Sequence, residues 1–329
     1  MSRIAVVYGG SGFLGRYVVR RLAADGWRVR VGCRHPEQAL FVRTYGAVGQ
    51  VEPFLCNIRD DASVARLMED AEAVVNLVGI LVEHGRNTFE AVHVDGAERI
   101  ARIAAEKGVR RLVHVSAIGA APDAPSRYGR TKCAGEKAVH RHVRDAVILR
   151  PSVMFGPEDE FFNRFARMAR LSPVIPIAGA STLFQPVYVD DVARVAMMAI
   201  DGEAGPGVYE LGGPGVHSFR ELMQIMLKVI HRRRLVVNMP RPVAGVVAGL
   251  CDFAQAATLG LWKNSVLTRD QLRQLRVNNV ASGDALGFEA LGLEPAALEA
   301  VLPEYLWPYR PAGQYDELRR TLKRLSRQP

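Results

Sequence analysis

Ile4-Ala5-Val6-Val7-Tyr8 runs without a break into Gly9-Gly10-Ser11-Gly12-Phe13-Leu14-Gly15 and then into Arg16-Tyr17-Val18-Val19-Arg20-Arg21-Leu22. An apolar, mostly β-branched run, a glycine turn and a helix-periodic segment in immediate succession are the opening of a dinucleotide-binding βαβ unit. Gly9 permits the tight turn, Gly12 lets the main chain approach a pyrophosphate, and Gly15 allows the helix to pack on the strand. The helix, expected over residues 16–25, then faces the phosphates with unpaired N–H groups. A glycine turn without a ligand is the plainer alternative, and the unbroken strand–turn–helix order argues against it.

Working outward, strand-like runs at residues 29–32, 51–55, 73–78, 111–116 and 146–149 alternate with helical patterns. Gly26 and Gly108 close two of the helices. Such alternation predicts an α/β fold, a Rossmann doubly wound parallel sheet with helices on both faces. Near Pro151 the rhythm changes and proline and glycine become frequent. Residues 1–150 are therefore read as the dinucleotide-binding unit. Residues 151–329 form a smaller C-terminal α/β domain of substrate-binding type, interleaved with the first over the sheet's C-terminal edge.

A carboxylate at the end of the second strand normally accepts bonds from the ribose 2′-OH of NAD. Here the chain reads Arg28-Val29-Arg30-Val31-Gly32-Cys33-Arg34-His35, with no acid before Glu37. Arg34 suits a 2′-phosphate, so NADP(H) is the expected cofactor and NAD(H) the weaker one. Tyr128-Gly129-Arg130-Thr131-Lys132 places a phenol and an ammonium on one helical face. The geometry predicts that Lys132 depresses the Tyr128 pKa, making the phenol an acid/base for hydride transfer. A surface pair is the plainer reading; it loses ground because the pair follows the strand ending in Val115-Ser116.

Those motifs, with Asn76-Leu77-Val78-Gly79, Leu149-Arg150-Pro151-Ser152, Phe155-Gly156-Pro157 and Pro186-Val187-Tyr188-Val189-Asp190-Asp191, resemble the extended or atypical short-chain dehydrogenase/reductases over nearly the whole chain. Within them the sequence is most similar to the NADPH-binding accessory subunit of respiratory complex I and its bacterial relatives. Residues 12–19, His114-Val115-Ser116, Gln185-Pro186-Val187-Tyr188 and Thr268-Arg269-Asp270 carry that closer likeness. The resemblance implies Gly9, Gly12, Phe13, Leu14 and Gly15 at the pyrophosphate, Arg34 at the 2′-phosphate, and Tyr128 and Lys132 at the nicotinamide ribose. It further implies Asn57 and Ile58 near the adenine, Val78 and Gly79 beside the ribose, and Pro151, Ser152 and Val153 against the nicotinamide.

One departure bears on turnover. Active extended members carry a serine or threonine slightly past Ser116, where this chain has Ala117 and Ile118, and the loop to Tyr128 is short. Loss of one donor to a developing oxyanion costs roughly 3 kcal/mol. The expected function is thus an NADP(H)-binding accessory subunit or assembly factor of complex-I type with little or no turnover. A working NADP-dependent reductase or NAD-dependent epimerase/dehydratase-like enzyme is the alternative, on a carbonyl, quinone or sugar nucleotide, with Tyr128, Lys132 and Ser116 as its catalytic set. A redox-sensing regulator is a third reading.

The 43 Lys plus Arg against 34 Asp plus Glu give +9, which suits an anionic ligand, an acidic partner or an anionic lipid surface. The residues are scattered and match no reader motif, which argues against nucleic acid. Cys33, Cys56, Cys133 and Cys251 have no metal-type spacing and read as reduced, buried thiols. No window is apolar enough to span a bilayer, and the first strand begins too early for a leader, so a cytoplasmic protein is expected, peripheral on the cytoplasmic face of the inner membrane. Two segments bear on attachment. Lys228 to Arg234 is basic, and Val243, Val246, Val247, Leu250, Phe253, Ala257 and Leu261 recur at helical spacing, which reads first as a core helix. Together they also suit a membrane-associated complex such as complex I, or an anionic membrane surface. Residues 315–327 read as a basic helix.

Overall fold

The computed structural model describes residues 3–257 and 267–315. Six strands alternate with helices through the first half: β1 (Ile4–Tyr8), β2 (Arg28–Cys33), β3 (Val51–Leu55), β4 (Ala73–Asn76), β5 (Arg111–Val115) and β6 (Val147–Pro151). They pair in parallel in the order β3, β2, β1, β4, β5, β6, and a seventh strand, Gly207–Leu211, joins beyond β6. Tyr8 is level with both Gly32 and Asn76, so the order reverses at the C-terminal end of β1. A crevice opens at such a switch point, and there the sheet presents its ligand edge.

The strands are rich in valine and covered on both faces, as a parallel sheet requires. α1 (Phe13–Ala24) covers one face. α2 (Asp61–Leu67), α3 (Asp95–Glu106) and α4 (Arg127–His142) cover the other. Asp60 and Ser126 cap α2 and α4 by accepting from the Ser63 and Gly129 N–H groups at 2.8 and 3.0 Å. Gly26 and Gly108 adopt φ of 79° and 66° just past α1 and α3, the left-handed conformation that ends a helix.

Several boundaries differ from the sequence reading. α1 starts at Phe13 rather than residue 16, because the end of the glycine turn is already helical. β4 stops at Asn76, whose Oδ1 accepts from the Val78 N–H at 3.1 Å and turns the chain out of the sheet.

Past Pro151 the chain builds a second core and also returns to the first. α5 (Phe162–Leu171) belongs to the second core. α6 (Val189–Asp201) crosses back onto α1, where Arg21 donates to both Asp190 oxygens at 2.8 and 2.7 Å, and the seventh strand follows it into the sheet. α7 (Phe219–Val229) packs with α5 around Phe155, Phe162, Phe184, Phe219 and Met223.

α8 (Arg241–Ala257) departs from the core-helix reading. Ala244 and Ala248 form its buried side, while Val243, Val246, Leu250 and Phe253 point outward, Val246 at 63% and Phe253 at 71% exposure. Small residues allow close approach of the helix, so the large apolar ones are left on the solvent side. α9 (Arg269–Gln274) and α10 (Leu298–Leu306) complete the α-helices among the described residues. The far end of the apolar run and the basic segment from 316 onward lie outside the described residues.

The basic cluster is partly committed to the fold. Arg232 donates to the Tyr309 carbonyl at 2.8 Å and Arg234 to the Ala169 carbonyl at 2.7 Å, whereas Arg233 is exposed. Cys33, Cys56 and Cys133 are buried free thiols. Among the described residues no helix is long and apolar enough to cross a membrane.

Candidate functional site

The phosphate end comes from one stretch of chain. Gly9 sits at φ +80°, its N–H donating to the Gly32 carbonyl at 2.9 Å, and a β-carbon there would stand 3.3 Å from the Leu77 main chain. A β-carbon at Gly15 would lie 2.4 Å from the Gly9 carbonyl oxygen and 2.6 Å from Gly10, so only glycine lets α1 approach the turn this closely. At Gly12 a β-carbon would meet only the Gly9 oxygen, at 3.2 Å, and otherwise opens into free space. Gly12 is also the N-cap of α1 and offers no side chain to it. The first N–H groups of α1 therefore face open space, the arrangement that holds an anion. Leu14 is buried in the core, leaving its main chain for a ligand, and Phe13 packs near Gly156 and edge-on to Tyr17.

The other predicted residues gather along the same sheet edge. Arg34 follows β2, is exposed, and has no ion-pair partner among the described residues; nearby Glu37 engages His35 at 3.1 Å instead. Asn57 is exposed beyond β3, and its Oδ1 accepts from the Arg59 N–H at 3.1 Å. Ile58 packs toward Gly96 at the start of α3. Val78 lies against Gly9, and Gly79 lies beside Lys132, whose Nζ is 3.2 Å from where a Gly79 β-carbon would be. Pro151 is level with Leu211, and Ser152 and Val153 leave β6 at this edge.

At the nicotinamide end the expected pairing of Lys132 with Tyr128 is replaced by a different arrangement. Lys132 is buried and donates to the Val115 carbonyl at 3.1 Å. Burial lowers its pKa to about 8, with Glu136 opposing the shift. The Tyr128 phenol is not depressed; burial pushes it up to about 12. Two groups that each lose solvent are both held toward their neutral forms. Without a further charge at the site Tyr128 is a proton donor rather than a base.

Reasoning from sequence missed the histidines around this pair. His93 Nε2 accepts from the Ile80 N–H at 3.1 Å, which leaves Nδ1 to donate to Thr131 Oγ1 at 3.1 Å and fixes the neutral tautomer. Its ring stacks on Phe89 and meets Tyr128 edge-on, each at 5.4 Å. Burial and the charge of Lys132 push its pKa far down. His114 is likewise pushed down to about 3, first by burial. Asn76 Nδ2 donates to His114 Nδ1 at 3.1 Å, so Nε2 carries the proton, and among the described residues neither that nitrogen nor the Ser116 hydroxyl has a hydrogen-bond partner. Unsatisfied buried polar atoms cost about 1–3 kcal/mol each and concentrate where a ligand or water completes the set.

Past Ser116, Ile118 is a buried apolar side chain whose N–H donates to the Pro151 carbonyl at 3.1 Å. Behind the site Arg150 donates to both oxygens of buried Glu136, at 2.9 and 2.6 Å, and reaches Glu210 at 3.3 Å, tying α4 to β6 and the seventh strand. A dinucleotide bound here would supply the hydride, and the chain would hold a phenolic proton beside it.

Comparison with known proteins places the chain in a family. The model of the NAD dependent epimerase/dehydratase family matches residues 5–212. Subunit 9 of the NADH dehydrogenase [ubiquinone] 1 alpha subcomplex of Arabidopsis thaliana, a mitochondrial protein, is 36% identical over 94% of this chain and 79% of its own. A ceramide reductase of Caulobacter vibrioides is 29% identical over 78% of this chain and 79% of its own. Among solved structures, a UDP-glucose 4-epimerase of Thermotoga maritima superposes with a TM-score of 0.68, 19% identity and coverage of 97% and 99% of the two chains, a likeness of fold.

Proposed function

The chain belongs to the NAD dependent epimerase/dehydratase family, and from that premise we propose that it is an NADP(H)-binding accessory protein of a complex-I-type respiratory assembly, keeping its dinucleotide as a structural or sensing ligand with little or no turnover. The observation that carries this reading is the contrast between an open, anion-ready phosphate end and a reaction end where Ile118 stands at the donor position. The likeness to complex I subunit 9 over most of both chains supports the partner. A ligand present at a hundred times its Kd stabilises the fold by about 2.7 kcal/mol without any substrate. Residues 1–150 serve as the dinucleotide half and residues 151–329 as the attachment half, with residues 189–211 lent back to the first.

Arg34, exposed and uncommitted at the end of β2, favours NADP(H), and NAD(H) binds more weakly. The outward apolar side of α8 and the exposed Arg233 suit attachment to a membrane-bound protein assembly over an anionic leaflet, at the cytoplasmic face of an inner membrane. The chain purified from its native cell is denatured and its released ligand identified by mass spectrometry. A stoichiometric NADP(H) that fails to exchange over hours is expected. An empty protein, or NADPH consumed rapidly with a carbonyl, quinone or sugar nucleotide, defeats the reading.

The second reading, an NADP-dependent reductase, is favoured by one observation, the unpartnered Ser116 hydroxyl near the retained Tyr128 and Lys132. Substrate-dependent NADPH oxidation that disappears in Tyr128→Phe would establish it.

A further inference from the structure

A segment far along the chain closes the nicotinamide end. α9 is capped reciprocally by Thr268 and Gln271, which leaves the next side chain, Asp270, free to reach outside its own helix. Asp270 Oδ1 accepts from the Arg127 N–H at 2.7 Å and Oδ2 from the Tyr128 N–H at 3.0 Å, so one carboxylate holds the first two main-chain donors of α4. Ser126, the N-cap of α4, donates its hydroxyl to Gln274. At the end of the segment Asn279 Oδ1 accepts from Ser152 Oγ at 2.6 Å and the Val153 N–H at 2.9 Å, and Nδ2 donates to the Ile118 carbonyl at 3.4 Å. The Asn279 main chain is itself fixed, donating to Leu183 at 2.8 Å and accepting from Gln185 at 3.0 Å.

Residues 268–279 thus form a strap that grips the start of the Tyr128 helix, the turn after β5 and the exit of β6. A carboxylate on free N–H groups at a helix start makes charge-assisted bonds and also meets the positive end of the helix dipole. The asparagine satisfies two donors and one acceptor with a single planar amide, a combination neither Asp nor Ala reproduces. None of these bonds touches the glycine turn or Arg34.

We propose that Asp270 and Asn279 are positioning residues for the nicotinamide end of the bound dinucleotide, acting through Tyr128, Ile118 and Val153. The proposal rests on the reading that this edge binds a dinucleotide. It departs from a purely structural role in one respect: the strap governs one end of the ligand and leaves the other alone.

Two probes separate these cases in calorimetric titrations of the full chain, unfolded to release any bound ligand and refolded without it: NADPH, which spans the whole edge, and adenosine 2′,5′-bisphosphate, which reaches only the adenine and 2′-phosphate end. In Asp270→Asn, where an amide N–H comes to face a main-chain N–H, and in Asn279→Ala, NADPH affinity is expected to fall at least about tenfold, or about 1.4 kcal/mol. Bisphosphate affinity should stay within about twofold of wild type. The emission of bound NADPH, which reports the nicotinamide surroundings, should move toward that of free NADPH in the same variants. Should Asp270→Asn fail to fold, Asn279→Ser is read in the same way at the strap's other end. Equal loss of both probes would show that the strap is merely structural, and unchanged NADPH binding in the variants would remove the strap alone. A wild-type chain that binds neither probe overturns the dinucleotide reading, and the strap with it.

Discussion

The phosphate end of the site is made by one stretch of chain from Tyr8 to Arg16, whereas the nicotinamide end draws on β4, β5, α4, β6 and the strap from Thr268 to Asn279. The first depends on main-chain geometry that three glycines impose, with support from the Gly32 carbonyl and the Leu77–Val78 turn. The second depends on buried hydrogen bonds across more than a hundred residues of sequence, and it holds apolar Ile118 just past Ser116. Dinucleotide binding and turnover therefore make separate structural demands, and on the function proposed above this chain meets the first more fully than the second.

The comparison breaks most visibly at Gly15. Placing a side chain where a β-carbon already lies 2.4 Å from the Gly9 oxygen forces α1 away from the turn, so Gly15→Val should cost more than about a thousandfold in NADPH affinity, or about 4 kcal/mol. Titration calorimetry with circular dichroism as a folding control reads this, and retained binding would contradict the cradle.

Glu136→Gln leaves the partly buried guanidinium of Arg150 with one buried carboxylate instead of two. Denaturant melts should show a loss of about 3 kcal/mol, with glycine-turn binding restored once the folded fraction is corrected. A change below about 1 kcal/mol would mean that Glu210 alone suffices.

Cofactor choice is the third expectation. Arg34→Ala should erase a preference for NADPH over NADH of about tenfold, worth about 1.4 kcal/mol, and equal affinities in the wild type would end the assignment.

Lys132 gives a pH signature at the other end. Its pKa falls from 10.5 unfolded to about 8 folded, so the unfolded chain binds the extra proton between those values and stability rises with pH through that window. Below pH 8 the cost of the buried charge is fully present. The stability of wild type relative to Lys132→Met should therefore climb by about 1 kcal/mol per pH unit above pH 8. A flat difference would place Lys132 in a more polar setting.

The smallest effect belongs to Tyr128→Phe, which removes a phenol already neutral, with a pKa of about 12. NADPH affinity should change by less than about threefold, within 0.7 kcal/mol or so.

What the sequence disclosed follows the same division. The glycine turn and the strand positions are local signals, and the strands lie within two residues of where alternation places them. Asp270 and Arg150 lay in quoted motifs, but their partners, like the roles of Asn279 and His93, were not legible because each works through a group that only the folded chain brings near. The capping pattern Thr268-x-x-Gln271 marks a helix start, yet nothing in it says that Asp270 turns to another helix. The Tyr128–Lys132 spacing was read correctly as one helical face, but spacing carries no information about solvent, and burial decided both pKa values. Periodicity found the apolar stripe of α8 and could not tell which way it faces; the two alanines decide that.

The return of α6 and the seventh strand to the first sheet has a consequence for how the protein is made. A nascent chain that has reached Pro151 holds six parallel strands whose outer member, β6, has an unpaired edge, and α1 lacks the helix that later covers it. The edge is sealed by Gly207–Leu211 only after the intervening residues have been synthesised. An unpaired hydrophobic strand of this kind is a template for association with other chains. Folding of the dinucleotide unit is thus tied to synthesis of the second half, and a chaperone that shields β6 during that interval would raise the yield of folded protein.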